Sequence, residues 1–345
     1  MNLTKPKALK KGDTIAILST SSGMAGDDAF LFRYEIGKKR LHEVFGLNAI
    51  EYPTTLAGTE YVYNHPEKRA EDLMAAFQNP EVKAIFSCIG GEESIRLLPY
   101  INFDVIKNNP KIFMGYSDNT IIHFMCMKAG VSSVYGPAIL PEFAENIEIF
   151  PYTTASVEKT LFQALPIGEI TPSPVFSREL IWWTPENQNT QKPTEPNPAP
   201  VLLQGEGIVQ GHLIGGCMEV IEFMRGTPLF PDIEMFEDAI LFLETSEEAP
   251  SEVMLARWLR GYAAMGILHR IKGIVFGKPY TAELEEPYMK TLKKVLTDEL
   301  GLSSLPVLYG LNFGHTEPMF CIPYGAKAEI DCGKATFSIL ESAVV

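Results

Sequence analysis

The chain of 345 residues predicts an α/β protein, a parallel-sheet domain followed by a β-rich domain. Three observations carry this. Apolar runs alternate with amphipathic helical stretches through the first part of the chain. A stretch with five prolines and almost no apolar residues, "PENQNTQKPTEPNPAP" (185–200), then breaks the pattern. Beyond it, short β-type segments crowd together. The length suits two domains. Boundaries at 1–165, 166–205 and 206–345 separate an α/β unit, a linker with a substrate loop, and a β-rich unit.

The first unit reads in order. "DTIAILSTSSG" (13–23) is an apolar run that breaks into small hydroxyl residues, a strand and then a loop. "YEIGKKRLHEVFG" (34–46) places Ile36, Leu41 and Phe45 at helical spacing, with Gly46 as the stop. "EKRAEDLMAAFQNP" (67–80) is a second helix, and "VKAIFSCIGG" (82–91) a strand ending in two glycines. "KIFMGYSDNT" (111–120) is a strand and turn, "TIIHFMCMKAG" (120–130) a helix, and "SVYGPAIL" (133–140) a short strand. Strand, helix and strand in succession predict a parallel sheet covered on both faces. Ligands of such sheets bind at the carboxyl ends of the strands, where Gly90, Gly91 and Ser117 fall.

In the second unit "GIVQGHLIGG" (207–216), "AILFLET" (239–245), "IKGIVFGKP" (271–279), "LPVLYGL" (305–311), "KAEID" (327–331) and "ATFSIL" (335–340) read as strands. "SEVMLARWLRGYAAMG" (251–266) and "YMKTLKKVLTDELG" (288–301) read as amphipathic helices.

Composition excludes several classes. Hydrophobic residues make up 46%, enough for a sizeable core, and the net charge is −14 with no basic cluster. A phosphate backbone needs clustered cations, so nucleic acid is not an expected partner. No stretch approaches the roughly 20 apolar residues of a membrane span. Five scattered cysteines form no CxxC pair, which argues against a disulfide framework or zinc site and for a reducing cytoplasm. No metal-binding or dinucleotide fingerprint appears, so no metal or cofactor is expected.

Ser117 is the first candidate for chemistry. A serine hydroxyl needs a base, a group to orient that base, and donors for the oxyanion. A sharp strand-to-helix turn projects the side chain and aims the next backbone N–H at the reacting carbonyl. "GYSDN" has a glycine two before the serine but Asn119 two after, so on pattern alone Ser117 reads as an N-cap of the following helix before it reads as a nucleophile. Among six histidines, His315 stands apart, in a glycine-bounded loop after a strand. Glu244 ends an apolar strand, where a carboxylate needs a partner; it also reads as the start of an acidic loop with Glu247 and Glu248. Gly90 and Gly91 allow close backbone approach, or form an ordinary turn. Cys88, inside "AIFSCI", reads as a buried small hydrophobe rather than a rival nucleophile. Trp182 and Trp183 are packing residues or a stacking surface.

Seven blocks occur together: "DTIAILSTSSG", "FSCIGGEESIRLLPYINFDVI", "FMGYSDNT", "GHLIGG", "LFLETSEE", "GLNFGHTEP" and "CIPYGAKAEID". In order and spacing they resemble the LD-carboxypeptidase family of serine peptidases, over residues 13 to 331. The length, the paired tryptophans and the proline-rich insertion look most like its microcin C self-immunity branch. The resemblance implies an N-terminal α/β domain, a barrel-like C-terminal domain, a homodimer and an active site between the domains. It implies Ser117 as nucleophile, His315 as base and acid, Glu244 as its orienter, and the N–H groups of Gly91 and Asp118 as the oxyanion hole. It implies a small peptide or peptidyl-nucleotide substrate, with Trp182 or Trp183 stacking on the base. Murein tetrapeptides are the alternative substrate, and a non-catalytic ligand-binding protein the alternative class. Cys217 stands where many members carry a substrate-touching asparagine, so its amide is lost.

Overall fold

The alternation in the first half folds into a parallel sheet. A computed structural model describes all 345 residues. Five strands come from this half: β1 (Thr14–Leu18), β2 (Asn48–Glu51), β3 (Val82–Ser87), β4 (Ile112–Gly115) and β5 (Val134–Tyr135). They lie in the order β5-β4-β3-β1-β2, every neighbouring pair parallel. All four residues of β4 are buried, as a strand covered on both faces requires. The helix Leu31–Phe45 stops where expected, with Gly46 left-handed at φ 70° and its N–H donating to the His42 carbonyl. The strand read over 133–140 is shorter than expected. Only Val134–Tyr135 pairs, and Ile139–Phe143 form a wide helical turn.

The second half differs more. Its strands include β6 (Gly168–Glu169), a β7 (Val175–Phe176) and β8 (Glu195–Pro196) ribbon, β9 (Val201–Gln204), β10 (Ile208–Cys217) and β11 (Ala239–Glu244). β12 (Gly273–Gly277), β13 (Val307–Leu311), β14 (Ile322–Pro323), β15 (Lys327–Asp331) and β16 (Thr336–Ile339) follow. Eight of these form a sheet ordered β6-β16-β15-β10-β11-β12-β13-β9. Its centre, β10 to β13, is parallel, and its flanks are antiparallel. The helices Met218–Met224, Glu252–Ala264 and Glu285–Lys293 each sit between consecutive parallel strands, which only a crossover can join. The β-rich unit is thus itself built on an α/β centre.

The expected boundaries are crossed twice. β6 and β9, from the supposed linker, edge the second sheet. β14, from the C-terminal unit, pairs antiparallel with β5 and extends the first sheet. The chain therefore leaves the second sheet at Leu311 and joins the first at Ile322, and His315 lies on that crossing. A continuous apolar core runs through both units, with Tyr135 against Phe242 at 5.6 Å and Phe242 against Tyr324 at 5.0 Å. The proline-rich loop is exposed as expected, except that the Lys192 ammonium is buried against Glu145 and Glu317. No helix is long and apolar enough to cross a membrane.

Candidate active site

Ser117 follows β4 on a strained turn. Tyr116 is extended, and Ser117 has a φ of 61°, the left-handed region that non-glycine residues seldom adopt. The chain then turns into the helix Thr120–Lys128. Packing makes this turn tight. A Cβ on Gly115 would lie 2.9 Å from Ser87 Cβ and 3.1 Å from Asn119 Cγ, which explains the glycine two before the serine. Ser117 caps nothing with its side chain. Its carbonyl instead accepts the Thr120 hydroxyl at 2.7 Å.

Gly90 presses against this turn, and Gly91 against Ser21 and Ser22. A Cβ on Gly90 would sit 2.7 Å from Ser117 Cβ and 2.8 Å from its Oγ, and one on Gly91 would lie 2.4 Å from Ser21 Oγ. Gly91 has a φ of 145°. Backbone can reach the nucleophile at Gly90, and pack on Ser21 at Gly91, only because both residues lack a side chain.

Glu244 ends β11 and is fully buried. Its Oε2 accepts His315 Nδ1–H at 2.7 Å, and its Oε1 accepts the Tyr135 hydroxyl. A Cβ on Gly314, whose φ is 91°, would lie 2.5 Å from Glu244 Oε2, so glycine lets the histidine loop fold over the carboxylate. Burial by itself would lower the His315 pKa. The carboxylates of Glu244 and Glu247 outweigh it and push it up to about 9. The Tyr116 ring meets the imidazole edge-on at 5.0 Å.

Ser117 and His315 line one cavity of about 320 Å³, together with Gly90, Gly91, Trp183 and Glu247. No hydrogen bond joins Ser117 Oγ to the imidazole. His315 Nε2 faces Glu247 Oε2 at 3.3 Å instead. Catalytic hydrogen bonds often tighten only when substrate is bound.

The remaining expected residues separate. Trp183 lines the cavity, with the Arg33 guanidinium 4.3 Å from its ring centre and Phe30 against it edge-on. Trp182 is 75% exposed and outside the cavity. Cys217 is a correction. It is buried in register with Glu244 and does not line the cavity, and its thiol donates to Glu219 at 3.4 Å, so it offers substrate no surface. Cys88 is fully buried, and burial pushes its thiol up to about 12, which leaves it inert.

Sequence reasoning missed Tyr135, Glu247 and the group around Lys192. Glu142 and Glu317 line the cavity, and Lys192 pairs with Glu317 and with Glu145 behind it. Burial pushes Glu142 up to about 7, against the pull of the Ala138 N–H and the Tyr116 hydroxyl. Burial also raises Glu317, with Lys192 opposing. Glu317 and Tyr135 stood inside the quoted stretches "GLNFGHTEP" and "SVYGPAIL", but nothing local marked Glu317 as lining a cavity or Tyr135 as the partner of Glu244.

Residues 15–136 match the family model of the LD-carboxypeptidase N-terminal domain, and residues 210–330 that of the LD-carboxypeptidase C-terminal domain. Fold and comparison together define a two-unit serine peptidase. The chain belongs to the LD-carboxypeptidase family. An MccF-like protein from Streptococcus pneumoniae, solved in complex with AMP, is 32% identical with a TM-score of 0.88, covering 95% of this chain and 98% of that one. The microcin C7 self-immunity protein MccF of Escherichia coli is 29% identical over 96% of this chain and 94% of its own. Its structure in complex with aspartyl sulfamoyl adenosine superposes with a TM-score of 0.86 over 99% and 100%. A Bacillus subtilis protein named "Probable murein peptide carboxypeptidase" is 29% identical over 99% of this chain and 95% of its own.

Proposed function

We propose that the chain hydrolyses small peptide conjugates of the peptidyl- or aminoacyl-nucleotide kind by acyl transfer through Ser117. Ser117 Oγ attacks the scissile carbonyl while His315 Nε2 takes its proton. The N–H groups of Gly91 and Asp118 hold the oxyanion. His315 returns the proton to the leaving group, and water then cleaves the acyl-enzyme by the same steps in reverse. Glu244 fixes the imidazole tautomer and stabilises the imidazolium. Glu247 moves off Nε2 when substrate arrives. The reading includes a homodimer in the cytoplasm; light scattering tests the former.

One observation carries the nucleotide choice. Trp183 shares a cavity with Ser117, and an aromatic face there suits a base. A second observation supports the murein reading. Glu142, Glu179, Glu247 and Glu317 line the cavity, and its Arg178 and Lys192 already pair with carboxylates. Such a lining suits an ammonium-bearing peptide better than a phosphate.

The test is turnover of an aminoacyl sulfamoyl adenosine beside a murein tetrapeptide, followed by mass spectrometry, with Ser117→Ala as control. Cleavage of the adenosine conjugate alone supports the first reading and of the tetrapeptide alone the second. Binding without cleavage by the wild type overturns both. Trp183→Ala should weaken the base-bearing substrate selectively by roughly 1–3 kcal/mol; equal losses on both substrates exclude stacking.

A further inference from the structure

We propose that Tyr135 is a positioning residue of the reaction, its phenol tying the Glu244 carboxylate to the backbone of the nucleophile turn across the junction of the two sheets. This rests on the Ser117–His315–Glu244 reading above.

The connection is continuous. The Ser117 N–H donates to Tyr135 Oη at 3.2 Å, and the Tyr135 O–H donates to Glu244 Oε1. Glu244 Oε2 accepts His315 Nδ1–H at 2.7 Å. Each carboxylate oxygen thus has its own partner, so rotating the carboxylate away from His315 breaks two hydrogen bonds. The backbone of Tyr135 is held just as closely. It is in register with Gly115 of the strand that delivers Ser117, and with Ile322 of the strand that follows His315. Its ring packs on Phe242, two residues before Glu244. One residue therefore touches the strands that lead to Ser117 and carry Glu244, and the strand that ends the His315 loop.

A purely apolar role does not account for the hydroxyl. Packing alone would be served by phenylalanine, and a buried hydroxyl is unfavourable unless paired. Here Oη is paired on both sides. Burial, with the Glu244 charge, holds the phenol well above its ordinary pKa, so it stays a donor.

The hydroxyl also tempers the imidazole. A donor on Oε1 draws charge from the carboxylate that stabilises the His315 imidazolium. The other groups acting on His315 are the carboxylates of Glu247 and Glu219, and the Tyr116 ring against its edge. Without the phenol, the His315 pKa rises and the neutral base becomes scarcer at a given pH.

The test measures phosphonylation of Ser117 by a fluorophosphonate across pH in the full-length protein. In that step the Oγ–P bond forms, fluoride leaves with its electron pair, and His315 takes the hydroxyl proton. Wild type should label at Ser117, and Tyr135→Phe about 10- to 100-fold more slowly, with its midpoint moved to higher pH. In a Glu244→Gln background, adding Tyr135→Phe should change little, because the phenol acts through Glu244. Labelling of Tyr135→Phe at the wild-type rate and midpoint overturns the proposal, as does a full additive loss in the double variant. Should Tyr135→Phe not fold, 3-fluorotyrosine at 135 keeps the shape and lowers the phenol pKa; an unchanged midpoint then overturns it. Equal labelling of wild type and Ser117→Ala instead overturns the nucleophile assignment.

Discussion

Asp118 Oδ2 accepts the backbone N–H of Ser94 at 2.7 Å. The same oxygen accepts the Glu93 N–H at 2.9 Å and the Ser21 hydroxyl at 2.5 Å. The residue after the nucleophile thus anchors the segment that follows Gly90 and Gly91. The sequence pointed to the Asp118 backbone N–H; its carboxylate has a separate task, holding that loop in place. Asp118→Ala leaves three donors without their acceptor and should cost roughly 3–5 kcal/mol of stability. Urea denaturation checks this, and a wild-type midpoint would contradict it.

Ser117 carries a φ that glycine adopts without strain. Ser117→Gly should therefore lose turnover by about 10⁴-fold or more while gaining about 1 kcal/mol of stability. The paired measurement is a progress curve and a denaturation midpoint. A loss of both would mean that the turn is not strained.

Gly90→Ala places a methyl group 2.7 Å from Ser117 Cβ. The neighbour is the nucleophile's own turn, which must shift. Turnover should fall by about 100-fold or more, since misplacement by an ångström has that effect. Circular dichroism should report a folded protein. Wild-type kcat would show that the loop has more room than its geometry implies.

His315 has its pKa pushed up to about 9, so the free base is scarce at neutral pH. The value of kcat/KM should rise with pH and level off above about 9. Stability has the opposite sign. The pair with Glu244 contributes fully below the ordinary histidine value of about 6.5, and the contribution is lost as pH rises through about 9. Glu247→Gln removes one of the anions that hold the proton, so the kinetic limb should move to lower pH. A limb that stays in place would mean that Glu247 does not act on the imidazole.

Much of this site was legible in local pattern. A glycine two before a serine at a strand end allowed an elbow but fitted an N-cap too, and the family resemblance favoured the elbow. A glycine-bounded histidine and a carboxylate closing an apolar strand marked the other two positions. Distinguishing Trp183 from Trp182 was beyond the sequence, because neighbours outside regular structure can face opposite ways and only packing on Arg33 and Phe30 turns one inward. Cys217 was expected at substrate only because the family resemblance places an asparagine there, yet in this chain the residue is buried in register with Glu244.

The sequence by itself determined the central strands and the main helices, and which reactive residues stand at their ends. Those properties follow from periodicities of a few residues. Only the tertiary structure decided that the ends meet. Glu244 lies 71 residues from His315 and 109 from Tyr135, and no local preference acts over such distances. Their contact depends on strand order: four parallel strands at the centre of the second sheet, and β14 crossing to the first. That crossing draws the His315 loop across the gap between the sheets and into the cavity lined by Ser117.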